Sequence, residues 1–266
     1  MKLGLCQLDI IWEDKEANRA KAEIFVKKAA GEGVALLLFP EMSLTGFSMN
    51  LAKTAESARE TVDYFKNSAA QYNIHIGFGW VESCRGKARN HYTIVAPDGG
   101  VLADYIKLHP FSFGGENEYF YPGDEIKGFS VGGFHIAPFI CYDLRFPEIF
   151  QAVSGDAELL IVAANWPDKR SEHWRVLLQA RAIENQAFVA GVNCVGDKGG
   201  LKYSGHSMIV DPQGIILRET TGFEDLICVD IDVKAVHEWR REFPLKDDRR
   251  NELYADLLIR GSVLKK

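Results

Sequence analysis

No C-x-x-C pair occurs among the five cysteines, Cys6, Cys84, Cys141, Cys194 and Cys228. Their number is odd and they lie far apart. Neither a disulfide framework nor a structural zinc site is expected, and a reducing cytoplasm is the expected compartment. No H-E-x-x-H or other metal spacing links the seven histidines, so no metal is expected. No long basic run is present. With 31 basic and 37 acidic residues the net charge is −6, which argues against nucleic acid as the main partner. Gly77 and Gly79 sit inside a strand pattern and not in a G-x-G-x-x-G loop opening a helix, so no dinucleotide is indicated, and no other cofactor is expected. The first apolar stretch, MKLGLCQLDII, is short and broken by Gln7 and Asp9. It reads as a buried strand and not as a signal peptide or a membrane span. No Gly/Ser/Pro linker and no solenoid-length repeat divides the chain. One domain is expected over 1–266, with a polar, helix-rich tail from about 244.

What is present is an alternation of strand and helix patterns, an α/β chain with mixed sheets. Strands are expected at LGLCQLDI, VALLLF, NIHIGFGW, FHIAPFI, ELLIVAAN, AFVAGVN and DLICVDID. Val34 to Phe39 is a continuous apolar run between Gly33 and Pro40, the mark of a strand buried on both faces. HYTIVA and VLADYI flank Pro97-Asp98-Gly99-Gly100 and predict a hairpin. Asp211-Pro212-Gln213-Gly214 predicts a turn between HSMIVD and IILRE. Helices are expected over Lys15–Ala30 and Thr54–Gln71, and a short one from Phe146. A further helix over Glu172–Asn185 has Ser171 as N-cap and an aligned face of Val176, Ala180, Ile183 and Ala187.

Several strands end at residues that can do chemistry. VALLLFP runs into Glu41, VLADYI into Lys107, FHIAPFI into Cys141, and ELLIVAA into Asn165-Trp166-Pro167. Ligands of α/β folds gather at carboxyl ends of strands, because the loops there meet over one sheet edge. Each residue alone has a plainer reading. A glutamate after a strand is a solvated loop residue or a helix cap, and a lone cysteine is a small buried hydrophobe. Together they make a coherent set. A carboxylate can take the thiol proton and return it to a leaving amine. Backbone N–H groups from Tyr142 onward, with Lys107, can hold an oxyanion. A helix start just after Cys141 and a nearby ammonium would favour the thiolate. His109, two residues beyond Lys107, is expected to satisfy local groups.

The segments FPEMSLTGF, YIKLHPF and CYDLRFPE resemble, in order, the three signature blocks of the nitrilase, or carbon–nitrogen hydrolase, superfamily. The resemblance extends from about Gln7 to about Phe243. It implies a four-layer α-β-β-α sandwich of the nitrilase type, usually assembled as a homodimer. Position by position, it implies Glu41 as general base, Lys107 as the catalytic lysine and Cys141 as nucleophile. Glu116, seven residues before the glycine of Pro-Gly-Asp, falls where the family carries a second glutamate, and Glu118 competes for that place. The implied reaction is hydrolysis of a non-peptide C–N bond of a small amide through a cysteine thioester.

Within the superfamily, ANWPDKRSEHW with LLQARAIENQAFVAG resembles the ω-amidase branch, which hydrolyses the terminal amide of 2-oxoglutaramate or 2-oxosuccinamate. Such substrates carry an α-carboxylate, and Arg170 is the candidate to bind it, with a solvated loop charge as the alternative. Trp166 and Phe47 are candidate pocket walls or core residues. Arg145 and Glu148 are expected to brace the turn after Cys141. A carbamoyl-amine hydrolase, an aliphatic amidase, a nitrilase, or a non-catalytic binding member of the fold are the alternatives.

Overall fold

A computed structural model describes residues 1–261. Strands β1 (Lys2–Gln7), β2 (Leu36–Leu38), β3 (Ala55–Glu56), β4 (His75–Cys84), β5 (Lys87–Val95) and β6 (Val101–Ile106) join β14 (Asp225–Asp230) in one sheet, in the order β14-β1-β2-β4-β5-β6 with β3 beside β4. Strands β7 (Phe129–Val131), β8 (Phe134–Ile140), β9 (Leu159–Ala164), β10 (Phe188–Asn193), β11 (Val195–Lys198), β12 (Leu201–Val210) and β13 (Ile216–Thr221) make the second, in the order β11-β12-β10-β9-β8-β7 with β13 on β12. Both sheets mix parallel and antiparallel pairs.

The helices are α1 (Lys15–Gly31), α2 (Leu51–Thr54), α3 (Glu60–Tyr72), α4 (Glu116–Tyr119), α5 (Pro147–Val153), α6 (Ser171–Asn185), α7 (Val233–Glu242) and α8 (Asn251–Arg260). Strand periodicity explains the layering. Leu36 and Leu38 join the core between the sheets, while Leu37 joins the core under α1 and α3 with Val26, Val62 and Phe65. Successive strand side chains face opposite ways, so a strand covered on both faces must be apolar throughout. On the other side α6 lies against β10, where a Cβ on Gly191 would meet Leu178 and Trp174. The result is the four-layer α-β-β-α sandwich. Among the described residues no helix is long and apolar enough to cross a membrane.

Three expectations are corrected. The helix over Thr54–Gln71 begins only at Glu60, because the Glu56 carboxylate accepts the Thr61 N–H at 2.9 Å and draws the preceding chain into β3. Helix α6 turns Trp174, Leu178, Arg181, Ala182 and Asn185 inward, while Val176 and Ile183 are 59% and 52% exposed. Volume decides this: the inner face carries the large Trp174 ring, and the Val176 stripe is left outside. Ser171 is the first residue of α6 and not its N-cap. The β4–β5 hairpin and β11 were not marked by the pattern.

Candidate functional site

The carboxyl ends of β2, β6, β8 and β9 meet over one pocket. Glu41 lies beyond β2, where the chain passes directly against β4. A Cβ on Gly79 would stand 2.3 Å from the Met42 nitrogen, so only glycine fits that strand position. Ser43 fastens the same contact, donating its N–H to Gly79 O at 3.0 Å and accepting the Gly79 N–H at 2.9 Å. Lys107 follows β6, its N–H donating to Asn90 O at 2.9 Å. Glu116 opens α4 and accepts the Phe111 N–H at 2.6 Å.

These three side chains form one buried cluster. Lys107 Nζ is 2.9 Å from Glu41 Oε1 and 2.8 Å from Glu116 Oε2. Glu41 and Glu116 are 0% exposed and Lys107 1%, so none of the charges is shared with water. Burial works against the Lys107 charge, but Glu116 and Glu41 outweigh it and hold the ammonium above the ordinary lysine range. Burial pushes Glu116 up, Lys107 opposes it, and the like charge of Glu41 adds to the rise. Glu118 is exposed, so Glu116 is the glutamate brought to the lysine.

Cys141 stands at the end of β8 with φ +45°, a left-handed conformation uncommon for a residue with a Cβ. Asp143 enforces it. Its Oδ2 accepts the Ile140 N–H at 3.0 Å and the Tyr105 hydroxyl at 2.7 Å, and its Oδ1 accepts the His109 N–H at 3.0 Å. Arg181 Nη2 donates to Leu144 O at 2.6 Å from the other side. Asp143 and Arg181 therefore brace this turn. The two residues expected to do so are elsewhere: Glu148 is exposed, and Arg145 lies with its guanidinium 4.7 Å from the Trp166 ring in the pocket wall. A 3-10 segment, Cys141–Arg145, starts at the cysteine itself and α5 begins six residues after it; burial, then Glu41, push the thiol well above its ordinary value while Lys107 pulls it down. These surroundings favour the thiol over the thiolate.

Asn165, at the end of β9, joins the two sheets. Its N–H donates to Glu41 Oε2 at 3.0 Å, its Nδ2 to Glu41 O at 2.6 Å, and its carbonyl faces Cys141 Sγ at 3.9 Å. Cys194 Sγ donates to Asn165 Oδ1 at 3.2 Å. The pocket holds about 450 Å³ counting its open mouth and is lined by Phe47, Lys107, Cys141, Tyr142, Trp166 and Arg170, all anticipated, with Phe111, Arg145, Asn165, Pro167, Leu201 and Tyr203. Glu41 and Glu116 stand behind Lys107 and not in the wall. Burial, and then the like charge of Arg170, lower the Arg145 pKa, and among the described residues neither arginine has a carboxylate partner. Asn90, Asp143 and Tyr203 were missed because residue type alone marked them.

The family model "Carbon-nitrogen hydrolase" matches residues 2–241. The chain belongs to the carbon–nitrogen hydrolase family. A 2-oxoglutaramate amidase of Bacillus subtilis is 36% identical to this hydrolase over 256 residues, covering 95% of this chain and 98% of the relative. A solved CN-hydrolase superfamily protein of Xanthomonas campestris, with an arsenic adduct in its active site, superposes with TM-score 0.88 at 30% identity, covering 100% and 99%. A Glu-to-Gln mutant of the amidase of Nesterenkonia sp. AN1, showing the Michael addition of acrylamide at its active-site cysteine, superposes with TM-score 0.86 at 26% identity, covering 96% and 99%. The chain is thus a hydrolase of carbon–nitrogen bonds other than peptide bonds.

Proposed function

We propose that this carbon–nitrogen hydrolase is an ω-amidase that converts 2-oxoglutaramate, or its shorter homologue 2-oxosuccinamate, to the keto diacid and ammonia. One observation carries the substrate class: two arginines, Arg145 and Arg170, line the pocket that contains Cys141, and among the described residues no carboxylate answers them. A guanidinium pair of this kind fits a carboxylate. The similarity to a 2-oxoglutaramate amidase supports the same choice.

The cluster supplies a mechanism. As Cys141 Sγ attacks the amide carbon, its proton passes to Glu41, and the carbonyl oxygen becomes an oxyanion. Lys107 and the Tyr142 N–H, which lies in the first turn of a 3-10 segment and so has no intrahelical partner, hold that charge. Glu41 returns the proton to nitrogen, the C–N bond breaks, and ammonia leaves a thioester on Cys141. Water, deprotonated by Glu41, then attacks the thioester, and the thiol is restored with release of the acid. Glu116 keeps Lys107 aligned throughout.

An ammonia-release screen over 2-oxoglutaramate, glutamine, carbamoylputrescine and a simple nitrile tests the reading. The keto-acid amide should have the highest kcat/KM. Preference for carbamoylputrescine or the nitrile would contradict it. We also propose that the protein is cytoplasmic and a homodimer; the exposed Val176 and Ile183 on α6 and Leu258 and Ile259 on α8 support the pairing. Light scattering on a sizing column should give twice the chain mass.

A further inference from the structure

Asn90, on β5, is 1% exposed and lies beneath the site. Its Nδ2 donates to Glu41 Oε1 at 2.8 Å and to Glu116 Oε1 at 3.1 Å. Lys107 Nζ donates to the same two oxygens, at 2.9 Å and 3.1 Å. The Asn90 carbonyl accepts the Lys107 main-chain N–H. One asparagine thus touches all three members of the cluster. Its Oδ1 is buried and unpartnered among the described residues. A buried amide oxygen without a donor is unfavourable, yet the flipped amide would set that oxygen against two carboxylate oxygens. The orientation that serves the glutamates is the one adopted.

The charges show what this does. Two carboxylates face one ammonium, so Lys107 alone cannot balance both. A second cation would hold them too firmly as anions for either to take a proton. A neutral amide offers one N–H to each without adding charge.

We propose that Asn90 is a positioning residue that keeps Glu41 and Glu116 ionised and aligned on Lys107, and so sets the lowest pH at which the Cys141 thiol can be activated. This rests on Glu41 being the base. The other groups acting around Glu41 are Lys107, Glu116, Cys141, Cys194 and Tyr203. Removing a neutral donor leaves their charges in place. An anion that loses a donor is protonated more readily, so the acid limb must move to higher pH.

The test compares wild type, Asn90→Ser, Asn90→Asp and Glu41→Gln by the pH dependence of Cys141 alkylation with iodoacetamide, by kcat/KM on the amide that the wild type turns over, and by melting temperature. In Asn90→Ser the acid limb should rise by about 1–2 pH units, the size of one charge-assisted hydrogen bond. Asn90→Asp, of the same shape, should move it further. A folded Asn90→Ser with an unmoved limb, or Asn90→Asp with the wild-type profile, overturns the proposal. Glu41→Gln separates the two assignments: if it reacts and turns over like wild type, the base itself is misassigned. If neither Asn90 variant folds, the wild-type enzyme decides by NMR. The Asn90 side-chain amide protons should shift with the acid limb, and pH-independent signals overturn it.

Discussion

The Asn165 N–H donates to Glu41 Oε2 at 3.0 Å across 124 residues of chain. Asn165 ends a strand of one sheet and Glu41 follows a strand of the other. The proposed base and the proposed nucleophile stand on different sheets, and Asn165 touches both, its carbonyl lying 3.9 Å from Cys141 Sγ. The Asn165 side chain adds a second bond, to the Glu41 carbonyl. Asn165→Ala keeps the first and loses the second, leaving a buried carbonyl without its donor. That omission should cost about 1–3 kcal/mol, seen as a lower melting temperature and a kcat reduced about tenfold or more. Unchanged values of both would show that the side chain is not needed to hold Glu41.

Cys141→Ala should abolish turnover while the protein stays folded, since the thiol lies at a strand end and its loss opens little cavity. Cys6, Cys84 and Cys228 should be individually replaceable. Cys194→Ala should lower activity only modestly, because it removes one weak donor from Asn165. Retained turnover in Cys141→Ala, measured as ammonia release with circular dichroism as the folding control, would exclude Cys141 as nucleophile.

Lys107 and the two arginines carry the same charge but should fail differently. In the proposed mechanism Lys107 meets charge that appears only with the tetrahedral intermediate, so Lys107→Met should lower kcat by roughly 10²–10³ for every amide. Arg145 and Arg170 would meet a carboxylate present throughout. Arg145→Met and Arg170→Met should raise KM for 2-oxoglutaramate, each by about 1.5–3 kcal/mol of binding, and leave a neutral amide of similar length unaffected. Equal effects on both substrates would remove the arginines from carboxylate recognition.

The pH dependence follows from the direction of each shift. The Cys141 thiol is raised well above its ordinary value of 9.0, so iodoacetamide alkylation should show no step where a free thiol ionises. It should depend instead on a carboxylate base at acid pH. Glu116 is raised above its ordinary 4.5, by burial first and then by Glu41 against the pull of Lys107, so protonation of Glu116 begins above the ordinary carboxylate range as pH falls. Glu116→Gln removes a negative charge beside Glu41 and should move the remaining acid limb to lower pH. An upward move in that variant would contradict the account.

Much of this was legible in the sequence. Continuous apolar runs such as VALLLF and ELLIVAA mark strands covered on both faces. Glu41, Lys107 and Cys141 fall where those or similar runs stop. What was hidden depends on tertiary approach. Nothing local distinguishes Asn90 from any strand asparagine; its value comes from lying under two carboxylates 49 and 26 residues away. The inward face of α6 was misread because Val176 and Ile183 are spaced like core residues, and only the sheet beneath decides that Trp174 and Leu178 take that place. Arg145 sits among signature residues that hold the nucleophile turn, yet its guanidinium reaches the Trp166 ring in the pocket.

The proposed reaction passes through a covalent acyl intermediate on Cys141. Rapid acid quenching of the enzyme during turnover of 2-oxoglutaramate, followed by intact and peptide mass analysis, tests it most directly. The expected result is a mass gain equal to substrate minus ammonia, located on the peptide containing Cys141 and absent from Cys141→Ala. Steady ammonia release with no such adduct at any quench time, or an adduct on another cysteine, would contradict it.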